Sequence, residues 1–170
     1  AYDFDDLEQS RKQVIFDVWN SASFGNSDYG RFRVELTGSG TNIGQYFNVT
    51  MLSGTSGLSA ARMSGAFLNQ TEVAISSSTS IIGGWNHYAV SLANSGNAME
   101  CKLYRNGVLE NTIITGSAIN LITGSMIGQI GSLVGHVSGT AGAQFSGSLS
   151  ASLDELRFWK TQRTRSEERR

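Results

Sequence analysis

Oxygen-bearing side chains are concentrated in one segment near the start of the chain, FDVWNSASFGNSDYG at residues 16–30. Asp17 and Asp28 could supply carboxylate oxygens, and Asn20 and Asn26 amide oxygens, around one predicted strand and the loop after it. Calcium and other hard cations are bound by such ligands. Asp17 and Asp28 are therefore candidate metal ligands, although a polar turn capped by Asp28 would produce the same pattern.

Three residues have the chemistry of a sugar-binding site. Such sites combine an aromatic ring, which covers the apolar face of a pyranose, with amides or carboxylates that bind its hydroxyls. Asn26 and Tyr29 stand close together beside Asp28, and Tyr104 would fit if its strand turns it outward. We therefore treat Asn26, Tyr29 and Tyr104 as candidate glycan-binding residues, with plain packing as the alternative for both tyrosines.

Cysteine and histidine are too few for a disulfide or a zinc site. Cys101 is the single cysteine, and the chain has two histidines, His87 and His136, and no CxxC motif. A Cys/His zinc site therefore cannot be assembled within the chain. Cys101 alternates with Met99 and Leu103 and is predicted to be a small buried hydrophobe. We expect no cofactor, with Ca²⁺ as the one alternative left open.

The composition limits the partners that this chain could bind. Its 170 residues suit one domain, so we expect residues 1–170 to form a single unit. The net charge of −1 creates no field for polyanions, so no nucleic-acid partner is expected. No apolar run is long enough for a membrane span. The start without Met and the charged end lead us to expect a segment of a longer chain.

Apolar residues alternate with polar ones along most of the chain, as in half-buried strands. Phe32, Val34 and Leu36 share one face of RFRVELT, and the same period recurs in HYAVSLA and MECKLYR. Further strands are predicted for QVIFDVW, QYFNVTML, VLENTII and SMIGQIG. The short, turn-bounded segments indicate an all-β, antiparallel sandwich or barrel.

Two local signals mark a turn and a helix start. Asn106-Gly107 lies between two strands, and both residues tolerate the positive φ of a type I′ turn, which predicts a hairpin. Near the end, the alternation slips by one residue around Asp154-Glu155, which suggests a bulge or corner. The capping-box spacing of Thr164 and Glu167 then predicts the start of a short C-terminal helix.

Three segments in order resemble the laminin-G-like jelly roll of the concanavalin A-like lectin/glucanase superfamily. They are GGWNHYAV at 83–90, LYRNG at 103–107 and FSGSLSASLDELRFW at 145–159. The resemblance implies an antiparallel two-sheet jelly-roll sandwich. In it, Trp85 would open a strand and Trp159 would end one, each capping the core, and the Asp154 carboxylate would accept backbone N–H groups at its corner. An exposed Trp85 would instead be a candidate ligand platform.

The resemblance implies glycan or protein recognition, adhesion and sometimes calcium binding, with catalysis in the glucanase branch. Glucanases of the superfamily carry their carboxylates on an E-x-D-x-x-E strand, which this chain lacks, so we expect no enzyme activity. The Asp17 segment is also similar to the metal region of legume-type lectins, apart from Ile15 where those lectins have an acidic residue. The lack of a disulfide favours a bacterial or phage surface protein.

The main hypothesis is a non-catalytic adhesion or decoration module of a larger surface or virion structural protein. Its neutral surface, rich in Ser, Thr, Asn and Gly, would contact glycans or other protein subunits. The alternatives are a calcium-dependent carbohydrate-binding lectin domain and a purely architectural subunit-packing domain. Assembly as a homo-oligomer or within a virion is left open. We expect the module at an extracellular surface or on a virion.

Overall fold

The structure is a computed structural model that describes residues 13–23, 25–39, 42–63, 85–134, 149 and 152–161. Within these residues the chain forms eight β-strands. They are β1 (Gln13–Trp19), β2 (Gly30–Ser39), β3 (Asn42–Ser53), β4 (Ser56–Met63), β5 (Tyr88–Ser95), β6 (Ala98–Arg105), β7 (Val108–Thr115) and β8 (Ile127–Ile130).

The described strands form two antiparallel sheets. One has five strands in the order β4-β3-β2-β1-β8, and the other has three in the order β5-β6-β7. The predicted all-β, two-sheet sandwich is therefore confirmed. The predicted C-terminal helix start at Thr164 and Glu167 lies outside the described residues.

The main core lies between the inner faces of the two sheets, where period-two alternation places apolar side chains. On β6, Met99, Cys101 and Leu103 are buried, while the intervening residues face away from the core. The predicted burial of Cys101 is confirmed. The five-stranded sheet supplies the other buried members of this core: Val34, Leu36, Phe47, Val49 and Leu58.

The predicted β6–β7 hairpin is confirmed in its turn geometry. Asn106 and Gly107 have φ angles of 50° and 76°, the positive values that a type I′ turn requires at both central positions. The two strands pair from Arg105 with Val108 onward. This turn fixes one end of the three-stranded sheet.

The strand β2 is buried on both faces, which the alternation did not predict. In a half-buried strand, Arg33 and Glu35 would face solvent opposite Val34, but they are 7% and 2% exposed and form an ion pair at 3.1 Å. Neighbouring strands place further polar side chains on the same face. We call this group the polar layer: Asp17, Arg31, Arg33, Glu35, Asn48 and Thr50. Charged groups are rarely buried unless they are paired, as they are here.

The segment 152–159 differs from the expected closing strand, because the structure gives these residues no strand pairing. A corner does occur where the alternation slips: Glu155 has a φ of 50°, and its N–H donates to Asp154 Oδ1 at 2.9 Å. Trp159 is about half exposed, so its predicted role as a core cap at a strand end is wrong. Phe158 instead packs beside Phe16, with ring centroids 5.9 Å apart.

Candidate functional site

The most exposed aromatic side chain in the described residues lies at one end of the three-stranded sheet. Trp85 is 74% exposed, so the prediction that it caps the core is wrong. Strand β5 begins only at Tyr88, and the inward positions belong to Tyr88, Val90 and Leu92. Trp85 precedes the paired region and therefore lies at the rim of the sandwich, where its ring faces solvent.

Hydrogen bonds tie the segment that carries Trp85 to the β6–β7 turn. The Asn106 N–H donates to the His87 carbonyl at 2.7 Å, and the His87 N–H donates to Asn106 Oδ1 at 2.9 Å. Asn106 Nδ2 also donates to Asn86 Oδ1 at 2.9 Å. One asparagine at a left-handed turn position thus holds residues 86 and 87, which directly follow Trp85, in place.

Tyr104 extends this surface onto the outer face of the sheet. Its strand neighbours Cys101 and Leu103 point to the core, so Tyr104 points outward, between Ala89 of β5 and Leu109 of β7. Tyr104 is half-buried and Leu109 is exposed. We name this surface the rim patch: Trp85, Asn86, Tyr104, Asn106 and Leu109.

The rim patch is electrically neutral. Its described charged neighbours are paired: Arg105 with Glu110 at 3.0 Å, and Lys102, whose charge interacts with Tyr104, with Glu100. Below the patch, Tyr88 packs against Phe47, with ring centroids 5.1 Å apart. Burial raises the pKa of Tyr88 above its ordinary value. The rim patch is therefore suited to neutral, hydrogen-bonding ligands.

The other two predicted glycan residues lie elsewhere. The Tyr29 carbonyl accepts a hydrogen bond from Gly54 N–H in the β3–β4 turn, and the start of β4 lies beside the segment that follows β7. Asn26 and Tyr29 are thus at the end of the sandwich opposite the β6–β7 turn. Asn26 is exposed, but Tyr29 is only 4% exposed and packs with Trp19 and other apolar residues, as the packing alternative for this tyrosine predicts.

Asp17 is a buried ion-pair residue. Its Oδ1 accepts from Arg31 Nε at 2.9 Å, and its Oδ2 accepts from Arg31 Nη2 at 2.7 Å and from the Val134 N–H at 2.9 Å. Burial by itself would lower the pKa of Arg31, but the hydrogen bonds and charge of Asp17 outweigh it and raise that pKa. Both Asp17 oxygens therefore serve an arginine and a backbone amide.

This arrangement does not fit the predicted metal site at Asp17 and Asp28. A hard cation would have to compete with a bidentate guanidinium for Asp17. Asp28 is exposed, and its carbonyl rather than its carboxylate is contacted by Asn20 Nδ2. Within the described ranges, no three His, Cys, Asp or Glu residues are grouped as metal ligands. The bidentate partner, Arg31, lies fourteen residues from Asp17, and sequence spacing did not reveal it.

The fold and the rim together define a β-sandwich with an exposed aromatic side chain at one end. A family model described as the concanavalin A-like lectin/glucanases superfamily matches residues 8–167. The chain belongs to this superfamily, as a laminin-G-like domain. Comparisons with curated proteins and with solved structures gave no match.

Membership of this family carries general expectations for the domain. Laminin-G-like domains bind glycans or proteins, are typically non-catalytic and are commonly extracellular. In the part of the chain that the structure describes, no helix has the length and apolar character needed to cross a bilayer.

Proposed function

We propose that this domain is a non-catalytic adhesion module that binds neutral glycans through the rim patch. The observation that supports the proposal is the exposed indole of Trp85, which directly precedes a segment that Asn106 holds by hydrogen bonds to Asn86 and His87. An exposed ring can cover the apolar face of a pyranose, while amides donate to and accept from its hydroxyls. Tyr104 and Leu109 would contact a second sugar unit on the outer face of the sheet.

The charges around the rim patch favour a neutral ligand over an acidic one. Arg105 is already paired with Glu110, and Lys102 with Glu100, so neither side chain offers an unpaired cation to a carboxylate or sulfate group. An acidic sugar would need such a cation to repay the loss of its hydration. We therefore expect uncharged hexose or N-acetylhexosamine residues to be the ligands.

The polar layer supports the non-catalytic part of the proposal. Glycoside hydrolysis by retention needs two carboxyl groups about 5 Å apart that can reach the sugar. Asp17 is fully buried and paired with Arg31, and Glu35 is buried and paired with Arg33. Carboxylates held in this way stabilise the sheet and are not presented to a substrate.

The setting that we propose is a larger surface or virion structural protein, in which the domain decorates the exterior. A second candidate function is purely architectural subunit packing. It is favoured by exposed apolar side chains outside the rim patch, such as Ile114 and Phe158, which are 58% and 64% exposed. A subunit-packing domain would not need Trp85, so the two functions predict different effects of changing that residue.

A glycan array probed with the labelled chain tests the proposal, in buffer with calcium and in buffer with a chelator. We expect binding to neutral glycans that the chelator leaves unchanged and that Trp85→Ala removes. Leu121→Ala is the matched control, because Leu121 is 85% exposed and lies in the loop that starts at the other end of the sheet. Absence of glycan binding, or binding that survives Trp85→Ala, would refute the proposal.

A further inference from the structure

The β6–β7 turn contains a pair of residues that can react with each other. Asn106 and Gly107 are the one Asn-Gly pair in the sequence, and they occupy the two central positions of the turn. Because glycine has no Cβ to shield its backbone nitrogen, that nitrogen can approach the carboxamide of the preceding asparagine. Asn106 is also exposed, so water reaches it. The turn therefore holds the reactants for a spontaneous deamidation.

Deamidation of this pair would take place in two steps. In the first step, the Gly107 nitrogen loses its proton and bonds to Cγ of Asn106, while the bond from Cγ to Nδ2 breaks and ammonia leaves. The product is a cyclic succinimide. In the second step, water adds to either ring carbonyl and opens the ring to aspartate or isoaspartate. Neither step is a redox reaction, and water is the sole co-reactant.

The hydrogen bonds of Asn106 oppose the first step. Its Oδ1 accepts from the His87 N–H at 2.9 Å, and its Nδ2 donates to Asn86 Oδ1 at 2.9 Å. Both ends of the carboxamide are thus bound to the segment before β5. The carboxamide cannot turn its Cγ towards the Gly107 nitrogen without breaking both bonds. Because attack within a molecule depends steeply on the alignment of the reacting atoms, the folded turn should react slowly.

We propose that Asn106 is a deamidation site that reacts when residues 85–87 detach from the β6–β7 turn. These residues precede the paired part of β5, and Trp85 and His87 are exposed. Segments with exposed hydrogen bonds and few buried contacts open locally more often than the core does. Each opening frees the carboxamide to rotate. The rate of deamidation is then the open fraction multiplied by the rate in an unfolded chain.

Deamidation would disrupt the rim patch. A carboxylate at position 106 has no donor for Asn86 Oδ1, and it adds a negative charge to a neutral surface. Isoaspartate also lengthens the backbone by one carbon, which is incompatible with the two-residue type I′ turn. Residues 86 and 87 would lose the contacts that position them and the preceding Trp85. This effect on binding rests on the proposed glycan function, whereas the control of the reaction by local opening does not.

Peptide mapping by mass spectrometry, after incubation of the full chain at neutral pH, tests the control by local opening. The reference is the same chain unfolded in guanidinium chloride. Because two side-chain hydrogen bonds must break before attack, we expect Asn106 to react at least about ten-fold more slowly in the folded chain. Asn86→Ala removes one of these bonds and should raise the folded rate about five-fold.

Asn120→Ala is the matched control for Asn86→Ala. It truncates an exposed asparagine in the loop after β7 and should leave the rate at Asn106 unchanged. Circular dichroism verifies that both variants are folded. A folded rate equal to the unfolded rate, or a rate that Asn86→Ala does not change, would overturn the proposal.

Glycan binding by the converted chain tests the effect on the rim patch. Chain in which Asn106 has been converted should bind the tightest neutral glycan at least about ten-fold more weakly than the unconverted fraction of the same sample. Equal affinities of the two fractions would overturn the role of Asn106 in positioning the rim patch. If neither fraction binds a glycan, the proposed function fails, and the rates of deamidation still decide whether local opening controls the reaction.

Discussion

The two tryptophans Trp19 and Trp85 should differ sharply in what they contribute to stability. Trp19 is 6% exposed, its indole N–H donates to the Ala22 carbonyl at 2.9 Å, and Arg31 lies over its ring at 5.7 Å. Truncation of a buried aromatic residue costs about 3–5 kcal/mol. We expect Trp19→Ala to fall in this range, because it removes a packed ring and leaves the half-buried Ala22 carbonyl without its donor.

Trp85→Ala should cost about 1 kcal/mol or less. With 74% of the residue exposed, only about a quarter of it is removed from water. A tryptophan buries about 150–250 Å² when it is fully covered, and about 25 cal/mol is gained per Å² of apolar surface. A quarter of that area corresponds to about 1 kcal/mol, and this is an upper value because the unfolded chain is itself partly compact.

Denaturant unfolding of both variants and the parent chain provides the comparison. The transitions should be followed by far-UV circular dichroism, since each substitution removes a fluorophore. The two losses should differ by at least about 2 kcal/mol at equal m-value. A loss of 3 kcal/mol or more for Trp85→Ala, on the scale of a buried aromatic residue, would refute an exposed rim position and restore Trp85 to the core.

Three further predictions concern buried groups and backbone contacts. Asp17→Ala should cost about 3–5 kcal/mol in denaturant melts, because it leaves the Arg31 guanidinium without its carboxylate partner. Arg157→Ala breaks an exposed ion pair and should cost less than about 1 kcal/mol. In the same melts, Gly116→Ala should cost at least about 2 kcal/mol more than Gly96→Ala. Both glycines have positive φ, but a Cβ on Gly116 would collide with the Gly57 carbonyl, whereas a Cβ on Gly96 would meet open space. Burial raises the pKa of Cys101 to about 12, so the folded chain keeps a thiol proton that the unfolded chain loses near pH 9. The contribution of this thiol to the free energy of unfolding should be full below pH 9 and should decline as the pH rises towards 12. In pH-dependent denaturant melts, a Cys101→Ala chain should lack this component of the decline.

Local sequence signals were sufficient for much of the fold. The type I′ hairpin needs two adjacent residues that tolerate positive φ, and Asn106 and Gly107 meet this requirement. The inward positions of β6 follow from strict alternation around Cys101. Such features depend on a few neighbouring residues, so they can be inferred without knowledge of the rest of the chain.

Burial of the polar faces could not be inferred in the same way, because it depends on residues that are distant in the sequence. The Val134 N–H donates to the Asp17 carboxylate although the two residues are 117 positions apart in the sequence. The alternation of apolar and polar residues cannot reveal such a contact. The sequence therefore made Asp17 a candidate metal ligand, whereas the structure pairs it with Arg31. The polar neighbours of Tyr29 left glycan binding and packing open for it, because its packing partners Trp19, Leu52 and Val134 come from other elements.

The site was partly visible in the sequence. Tyr104 was expected to qualify if it faced outward, and the strand register places it on the outer face. The sequence pattern placed Trp85 in the core, because it predicts a strand that begins at Trp85, three residues before β5 begins. A shift of strand boundary by this amount is enough to exchange a core residue for a rim residue, since it decides whether the side chain lies within the paired region.

The affinity of the tightest neutral glycan for the parent chain, Trp85→Ala and Leu121→Ala, measured by isothermal titration calorimetry, tests the rim patch most directly. A central exposed aromatic contact contributes about 2 kcal/mol or more, which corresponds to about 30-fold in affinity. We predict a loss of this size for Trp85→Ala and an unchanged affinity for Leu121→Ala. Equal affinities for all three chains would contradict the assignment of the binding surface.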